Sequence, residues 1–272
     1  MTPTTVVERV CALEKLFEEL RASRPVAAQV LTITDDPDAD AEAVARVVDL
    51  DPLLTTQILR MANSAAFGMR FRVASTQLAV SVLGFSAVRS VAVLFASGLR
   101  NHRRAIPPGF WQHAATAAAA ASILAPRFGI AKGEAFSLGL IHDLGTAMLQ
   151  SVDPGLYDEV HPTDTGVACA EELARFGMSH AEVAARLLEG WSFPTHLVET
   201  IASHHDTAIG MSAHGRLLAA ADAVAHLVLE PAGIVQMDPL RMEWLDTSPE
   251  ALERLAELTR EHAADVLAAL PT

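Results

Sequence analysis

The chain has 272 residues with 20 Lys+Arg against 33 Asp+Glu, a formal net charge of −13, and is 51% hydrophobic but only 19% charged. That balance excludes a disordered chain, which needs low hydrophobicity and high charge. It also argues against nonspecific binding to nucleic acid or anionic lipid, because phosphate neutralisation needs Lys and Arg. Cys11 and Cys169 lie far apart without metal-type spacing, so a reduced, cytoplasmic setting is expected.

The N-terminal stretch mixes Glu8, Arg9, Glu14, Lys15, Glu18 and Glu19 with apolar residues and lacks the apolar block of a signal peptide. Val6, Val10, Leu13, Leu16, Phe17 and Leu20 share one face at helical spacing, predicting an amphipathic helix over Val6–Leu20. Pro25 interrupts it, and a short apolar helix through Val26, Val30 and Ile33 follows. Asp35, Asp36, Pro37 and Asp38 read as turn and cap residues. A helix over Ala41–Leu50 turns Val44, Val47 and Val48 inward. Asp51-Pro52 predicts a capped start with proline at the first helical position, and that helix stops before Gly68. Ser75 is a cap, Gly84 a stop, and Ser86 the cap of a helix to about Leu99.

His102, Arg103, Arg104, Pro107, Pro108 and Gly109 form the clearest break in the chain, and a lobe boundary is placed there. An Ala-rich helix starts at Trp111, and Gly129 and Gly133 end it. A helix over Phe136–Leu149 carries His142 and Asp143, and Ser151–Thr165 reads as loop. Further helices are predicted over Val167–Phe176, His180–Leu188, Pro194–His204, Arg216–Leu229 and Pro249–Leu270. The last has an apolar face of Leu252, Leu255, Leu258 and Leu267, suited to a dimer contact or an intramolecular cover. Val73–Leu99 is broken by Arg89, and Ala114–Ala125 is too short for ~30 Å of hydrocarbon. Both are expected to be buried, with no membrane segment. With no strand-like alternation, the expected fold is all-α and two-lobed, over 1–108 and 109–230, with a helical extension over 231–272.

Eleven histidines stand beside a single tyrosine. His113 sits in the first turn of the Ala-rich helix, and His142-Asp143 lies in the apolar run Leu138–Gly145. His180 opens a helix, His204-His205 closes another, and Asp222 is surrounded by apolar neighbours. A buried carboxylate costs several kcal/mol unless it is paired, hydrogen-bonded or metal-bound. Imidazole nitrogen with carboxylate oxygen suits Fe, Mn or Zn, as one ion or two, and one carboxylate inside a helical bundle is able to bridge two such ions. None of these pieces is specific alone. A His-Asp dipeptide arises by chance in a His-rich chain, His at a helix end complements the dipole, and Asp222 admits capping by backbone or by Arg216. The order His, His-Asp, His, His-His, Asp, each on its own helix, is the informative feature.

That order resembles the metal-dependent HD phosphohydrolase superfamily. The segments Asp49–Gly68 and Ala79–Arg89, with Trp111-Gln-His113 and Glu189–Pro194, look like the HDOD (HD-related output domain) family over about 22–228. The resemblance implies an all-α bacterial signalling module whose C-terminal lobe is HD-domain-like. It implies that His113, His142, Asp143, His180, His204, His205 and Asp222 match the ligand positions of the dinuclear HD-GYP site, with Asp143 bridging. Many members of the family have lost these ligands. Two departures weigh against catalysis: Thr146 stands where active relatives carry Lys after His-Asp-x-Gly, and no Gly-Tyr-Pro follows the His pair. Gly109 replaces an additional Glu ligand, so a third ion is not expected.

The expected function is a signalling output module acting through a protein partner, with the metal site retained for structure or sensing. The alternative is a metal-dependent phosphodiesterase acting on a nucleotide or cyclic dinucleotide. A third reading, a helix-turn-helix DNA reader over Ser75–Val93, offers only Arg89 near the start of its second helix and is opposed by the negative charge. For Arg60, Asn63 and Ser64 the bland reading is helix-end capping and interface hydrogen bonds. For Trp191, Phe193 and Pro194 it is core anchoring.

Overall fold

A computed structural model describes residues 5–22, 25–68, 72–99, 106–160, 165–206, 211–229, 245 and 248–270. Among these residues there are helices and turns and no strand. The helices are α1 (Val6–Ala22), α2 (Pro25–Ile33), α3 (Ala41–Val48), α4 (Pro52–Ala62), α5 (Thr76–Ala96), α6 (Phe110–Phe128) and α7 (Lys132–Ile141). They continue with α8 (Leu144–Val152), α9 (Pro154–Val160), α10 (Thr165–Phe176), α11 (His180–Glu189), α12 (Thr195–Ala202), α13 (Ala213–Leu229) and α14 (Pro249–Ala269). Of the expected lobe boundary, His102, Arg103 and Arg104 lie outside the described residues.

Local chemistry sets most of the starts. Asp40 accepts from the Ala43 N–H at 2.8 Å to cap α3, and Asp51 accepts from the Leu53 and Leu54 N–H groups at 2.9 and 3.2 Å to cap α4. Ser75 caps α5 in the same way. Gly84 alone leaves the helical region of α5, with φ 75° and ψ 161°. The expected stop is therefore a sharp bend between abutting segments, without a loop for Ser86 to cap.

Three expectations from periodicity are corrected. The helix expected over Phe136–Leu149 breaks at His142-Asp143, because Asp143 (φ −94°, ψ 13°) steps out of the helical region between α7 and α8. Gly133 does not end α6, which stops at the left-handed Gly129; it lies inside α7, where its Cα faces the Leu83 carbonyl. Within the stretch read as loop, Pro154–Val160 forms α9, because Asp153 accepts from the Leu156 N–H at 3.1 Å and a proline tolerated in a first turn follows it.

Two long helices organise the packing. α5 lies against α2, α3, α4 and α7, and α6 lies against α7, α13 and α14. Buried alanines from Ala114 to Ala125 give α6 a surface with little side-chain bulk, so neighbours approach closely. A Cβ added to Gly139 of α7 would stand 2.5 Å from the Ala117 carbonyl oxygen. α14 follows the same logic: its buried residues are Ala256, Thr259, Ala263, Val266 and Ala269, whereas Leu258 is exposed. The expected leucine face is thus only partly inward, and α14 covers α6 and α13 of its own chain. Gln57 and Arg60 of α4 donate to the Ala269 and Ala268 carbonyls at its end, and Asp265 accepts from the Ala65 N–H. Asn63 brackets Val73 through both its N–H and its carbonyl, at 3.0 and 2.9 Å.

Arg89 is 3% exposed. Its guanidinium donates to Asp35, to Thr34 Oγ1 at 3.2 Å and to the Ser192 carbonyl, and lies 5.0 Å from the Phe193 ring centre. The one basic side chain of the DNA-reader hypothesis is thus spent inside the protein. α5 is long and apolar enough to cross a membrane, but 67% of its apolar window is buried against neighbouring helices.

Candidate metal centre

The expected residues come from separate elements and meet in one place. His113 lies in the first turn of α6, after the left-handed Gly109. His142 ends α7, and Asp143 occupies the break that follows. His180 is the first residue of α11, held by a capping box in which the Ser179 hydroxyl accepts from the Glu182 N–H and the Glu182 carboxylate accepts from the Ser179 N–H. His204 and His205 follow the end of α12, and Asp222 lies in the middle of α13.

Asp143 is the hub. Its Oδ2 lies 3.3 Å from His113 Nε2 and 3.5 Å from His142 Nε2, while its Oδ1 lies 3.6 Å from His180 Nε2 and 3.5 Å from His204 Nε2. Asp222 Oδ1 closes the first side, 3.2 Å from His113 Nε2 and 3.8 Å from His142 Nε2. His205 Nε2 closes the second, 2.8 Å from His180 Nε2. One carboxylate thus faces two groups of donors with one oxygen each. Most of these separations are close to the roughly 3.3–3.6 Å expected between ligand atoms at tetrahedral angles on bonds of about 2.0–2.2 Å.

The outer nitrogens are held by other partners. His142 Nδ1 donates to the Gly139 carbonyl at 3.0 Å, His204 Nδ1 to the Ile201 carbonyl at 2.7 Å, and His180 Nδ1 to the Glu172 carboxylate at 2.7 Å. A proton on Nδ1 leaves the Nε2 lone pair free to face inward, the usual outer-shell arrangement of ligating imidazoles. His204 Nε2 is buried without a hydrogen-bond partner. A buried lone pair aimed at a carboxylate oxygen 3.5 Å away is better satisfied by a cation than by anything the protein supplies. The donor set therefore fits one or two divalent ions of borderline softness.

Electrostatics follows the same geometry. Burial opposes charge on His113, but hydrogen bonding to Asp222 and the Asp143 charge outweigh it and raise the imidazole to about 9. Burial also works against the His180 charge, and its contacts with Cys169 and Glu172 still hold it well above its ordinary value. The Asp143 carboxyl is desolvated, yet the imidazoles of His142, His204 and His113 hold it well below the usual carboxylate range. Asp222 is likewise held low against burial by His113 and His142. Burial lowers His204, and burial with the neighbouring His204 and His180 pushes His205 down to about 2.

All seven expected residues belong to the cluster. Three neighbours were not anticipated. His226 Nε2 lies 3.5 Å from Asp222 Oδ1, Glu172 orients His180, and Cys169 Sγ lies 4.0 Å from His180 Nδ1. His226 had a signal, since four residues after Asp222 is one turn along the same helix. Glu172 had none, because α10 and α11 meet only in the folded chain. Arg216, the partner considered for Asp222, donates instead to the Met211 carbonyl at 2.6 Å.

Comparison with known proteins settles the lineage. The HDOD domain matches residues 20–207, more than half of the chain. The chain belongs to the HDOD domain family. Among solved structures, this HDOD protein is similar to the MmoQ response regulator of Methylococcus capsulatus, with 30% identity, coverage of 85% of this chain and 95% of the other, and a TM-score of 0.50. It is also similar to a candidate phosphohydrolase of Shewanella amazonensis, with 25% identity, coverage of 95% and 97%, and a TM-score of 0.68. It shares its fold with an HDOD domain protein of unknown function from Geobacter sulfurreducens, with 22% identity, coverage of 97% of each chain and a TM-score of 0.63. An uncharacterized protein of Treponema pallidum is 24% identical over 182 residues, 63% of this chain but only 35% of that longer protein.

Proposed function

We propose that this HDOD protein is a signal-transduction module that acts through protein contacts and retains an HD-type divalent metal site as a structural or sensory element. The observation that carries the metal part is the convergence of His113, His142, Asp143, His180, His204, His205 and Asp222 about the two oxygens of one carboxylate. These side chains come from α6, the α7–α8 break, α11, the end of α12 and α13. Ligation would hold those elements in one arrangement, and loss of the ion would leave only the imidazole–carboxylate contacts to hold them together. The signalling part is supported by the family and by the similarity to a response regulator.

The second reading is metal-dependent phosphodiester hydrolysis of a nucleotide or cyclic dinucleotide. It is supported by the similarity to the Shewanella protein, and by the 23% exposure of the Asp143 side chain, which gives the hub access to solvent. When bound, two divalent ions supply a hydroxide near neutral pH and neutralise phosphate charge. The residues here are less favourable to that chemistry. Thr146 is neutral, and its hydroxyl turns back onto the Asp143 carbonyl at 2.7 Å, so the position that holds Lys in active relatives presents no charge to a phosphate.

Elemental analysis of protein purified without chelator tests the metal part, with stoichiometric Fe, Mn or Zn expected and its absence fatal. Hydrolysis of bis(p-nitrophenyl) phosphate or a cyclic dinucleotide, compared with Asp143→Ala, separates the readings. The module predicts no turnover beyond that of the variant. Turnover abolished by Asp143→Ala makes the protein an enzyme.

A further inference from the structure

A second group of donors lies apart from the HD cluster. Glu134, His196 and His214 each offer a ligand atom within 4.8 Å of the others. His196 Nε2 lies 2.5 Å and His214 Nε2 3.4 Å from the same oxygen, Glu134 Oε1, and the two imidazole rings are 5.1 Å apart. The three residues occupy the first turns of α7, α12 and α13. They share no sequence neighbourhood, so only the packing of these helices brings them together.

We propose that Glu134, His196 and His214 form a second divalent metal site, for zinc or a similar borderline ion. Two imidazole nitrogens and one carboxylate oxygen make a His2Glu set, which zinc accepts with water in the remaining position. The His214 nitrogen stands from the shared oxygen at about the separation of two ligands around a tetrahedral zinc, roughly 3.3 Å on bonds of about 2.0–2.1 Å. A surface ion pair explains His196 with Glu134 and nothing more. His214 Nε2 is shielded from solvent and has no hydrogen-bond partner, although it faces the same oxygen. A cation between the three groups would use all three lone pairs. The His196 side chain is 51% exposed, so the site is open to ions from solution.

The register of the two clusters is shared. Glu134 precedes His142 by eight residues, His196 precedes His204 by eight, and His214 precedes Asp222 by eight. At 1.5 Å per helical residue this places the second cluster about 12 Å back along three of the five elements that deliver ligands to the HD cluster. An ion there would brace α7, α12 and α13 at their N-terminal ends and leave the HD ligands untouched.

The test uses the full chain. Crystals soaked in zinc, with data collected on both sides of the zinc absorption edge, should show an anomalous peak between Glu134, His196 and His214. Equilibrium dialysis against zinc should show His196→Ala binding one molar equivalent less than the parent, with the ions of the HD cluster retained. Far-UV circular dichroism shows that the variant is folded, and Glu134→Gln supplies an independent second removal. An anomalous map without a peak at these residues overturns the proposal. So does equal zinc stoichiometry in the parent and both variants, which would leave the group an ion pair only.

Discussion

Asp143 and Asp222 differ in what they touch, and that difference sets the outcome of replacing them. Asp143 presents one oxygen to His113 and His142 and the other to His180 and His204, whereas Asp222 faces His113, His142 and His226. An amide at Asp143 keeps the shape but lacks the charge that would let it bridge. Asp143→Asn is expected to lose the metal of both halves, and Asp222→Asn that of one half only. Elemental analysis of the two purified variants checks this, and full metal content in Asp143→Asn would contradict the bridging role. The raised imidazoles add a pH signature. His113, at about 9 against an ordinary 6.5, carries a proton in the metal-free protein at neutral pH, and contacts with Cys169 and Glu172 raise His180 in the same direction. The stabilisation from the His113 proton is complete below pH 6.5 and is lost as pH rises through about 9. Metal must displace the His113 proton, so the sign reverses for binding: affinity rises with pH towards 9, and loading at pH 7 releases protons. His205, pushed down to about 2, contributes none. Calorimetric titrations in buffers of different ionisation enthalpy measure the release, and identical heats in all buffers would refute it.

Among the elements, the helix α8 meets the N-terminal end of α11 with no space for a side chain. A Cβ on Gly145 would lie 1.9 Å from the His180 carbonyl oxygen, and one on Gly133 of α7 would lie 2.1 Å from the Leu83 carbonyl oxygen. Backbone cannot rotate away as a side chain does, so each Gly→Ala change is expected to cost about 1–3 kcal/mol. Only Gly145→Ala displaces His180. Both variants should therefore melt earlier in thermal denaturation, while the metal of the HD cluster falls in Gly145→Ala and holds in Gly133→Ala; equal loss of that metal in both would sever the link between this contact and the site. The same elements show what was legible in sequence. Caps such as Asp51 and Ser75 act within a few residues, so helix starts are readable from local pattern. The break at His142-Asp143 was not readable, because its apolar surroundings continue the helical pattern on both sides. Burial drives both flanks inward, and Asp143 itself is positioned by His113, His180 and His204, which lie far away in the chain. The seven ligand candidates were legible through their order along the chain and their resemblance to a known pattern. Glu172 and the Glu134–His196–His214 group were not, since each depends on how helices pack.

Across the molecule, Arg89 joins segments that are distant in sequence. From α5 it reaches Asp35, Thr34 Oγ1 and the Leu31 carbonyl after and within α2, and on the other side the Trp191 and Ser192 carbonyls that follow α11. Ser192 has φ 54°, a left-handed conformation uncommon outside glycine, so its carbonyl is held where an unconstrained serine would seldom place it. The guanidinium is thus a brace between the N-terminal helices and the turn that leads into α12, whose end presents His204 and His205. The two charges in its ion pair are not equivalent, because the Arg89 side chain is 3% exposed and the Asp35 side chain 43%. Removing the buried partner orphans carbonyls and leaves a void. Arg89→Leu is expected to lower stability by about 2–4 kcal/mol. Removing the half-exposed carboxylate mostly returns a charge to water, so Asp35→Ala should cost about 0–1 kcal/mol. Arg89→Lys should recover little of the loss, because a single ammonium cannot span both sides as the planar fork does. Urea denaturation of the three variants measures these differences. If Asp35→Ala proves as costly as Arg89→Leu, the ion pair is the brace and the carbonyls of Trp191 and Ser192 are incidental.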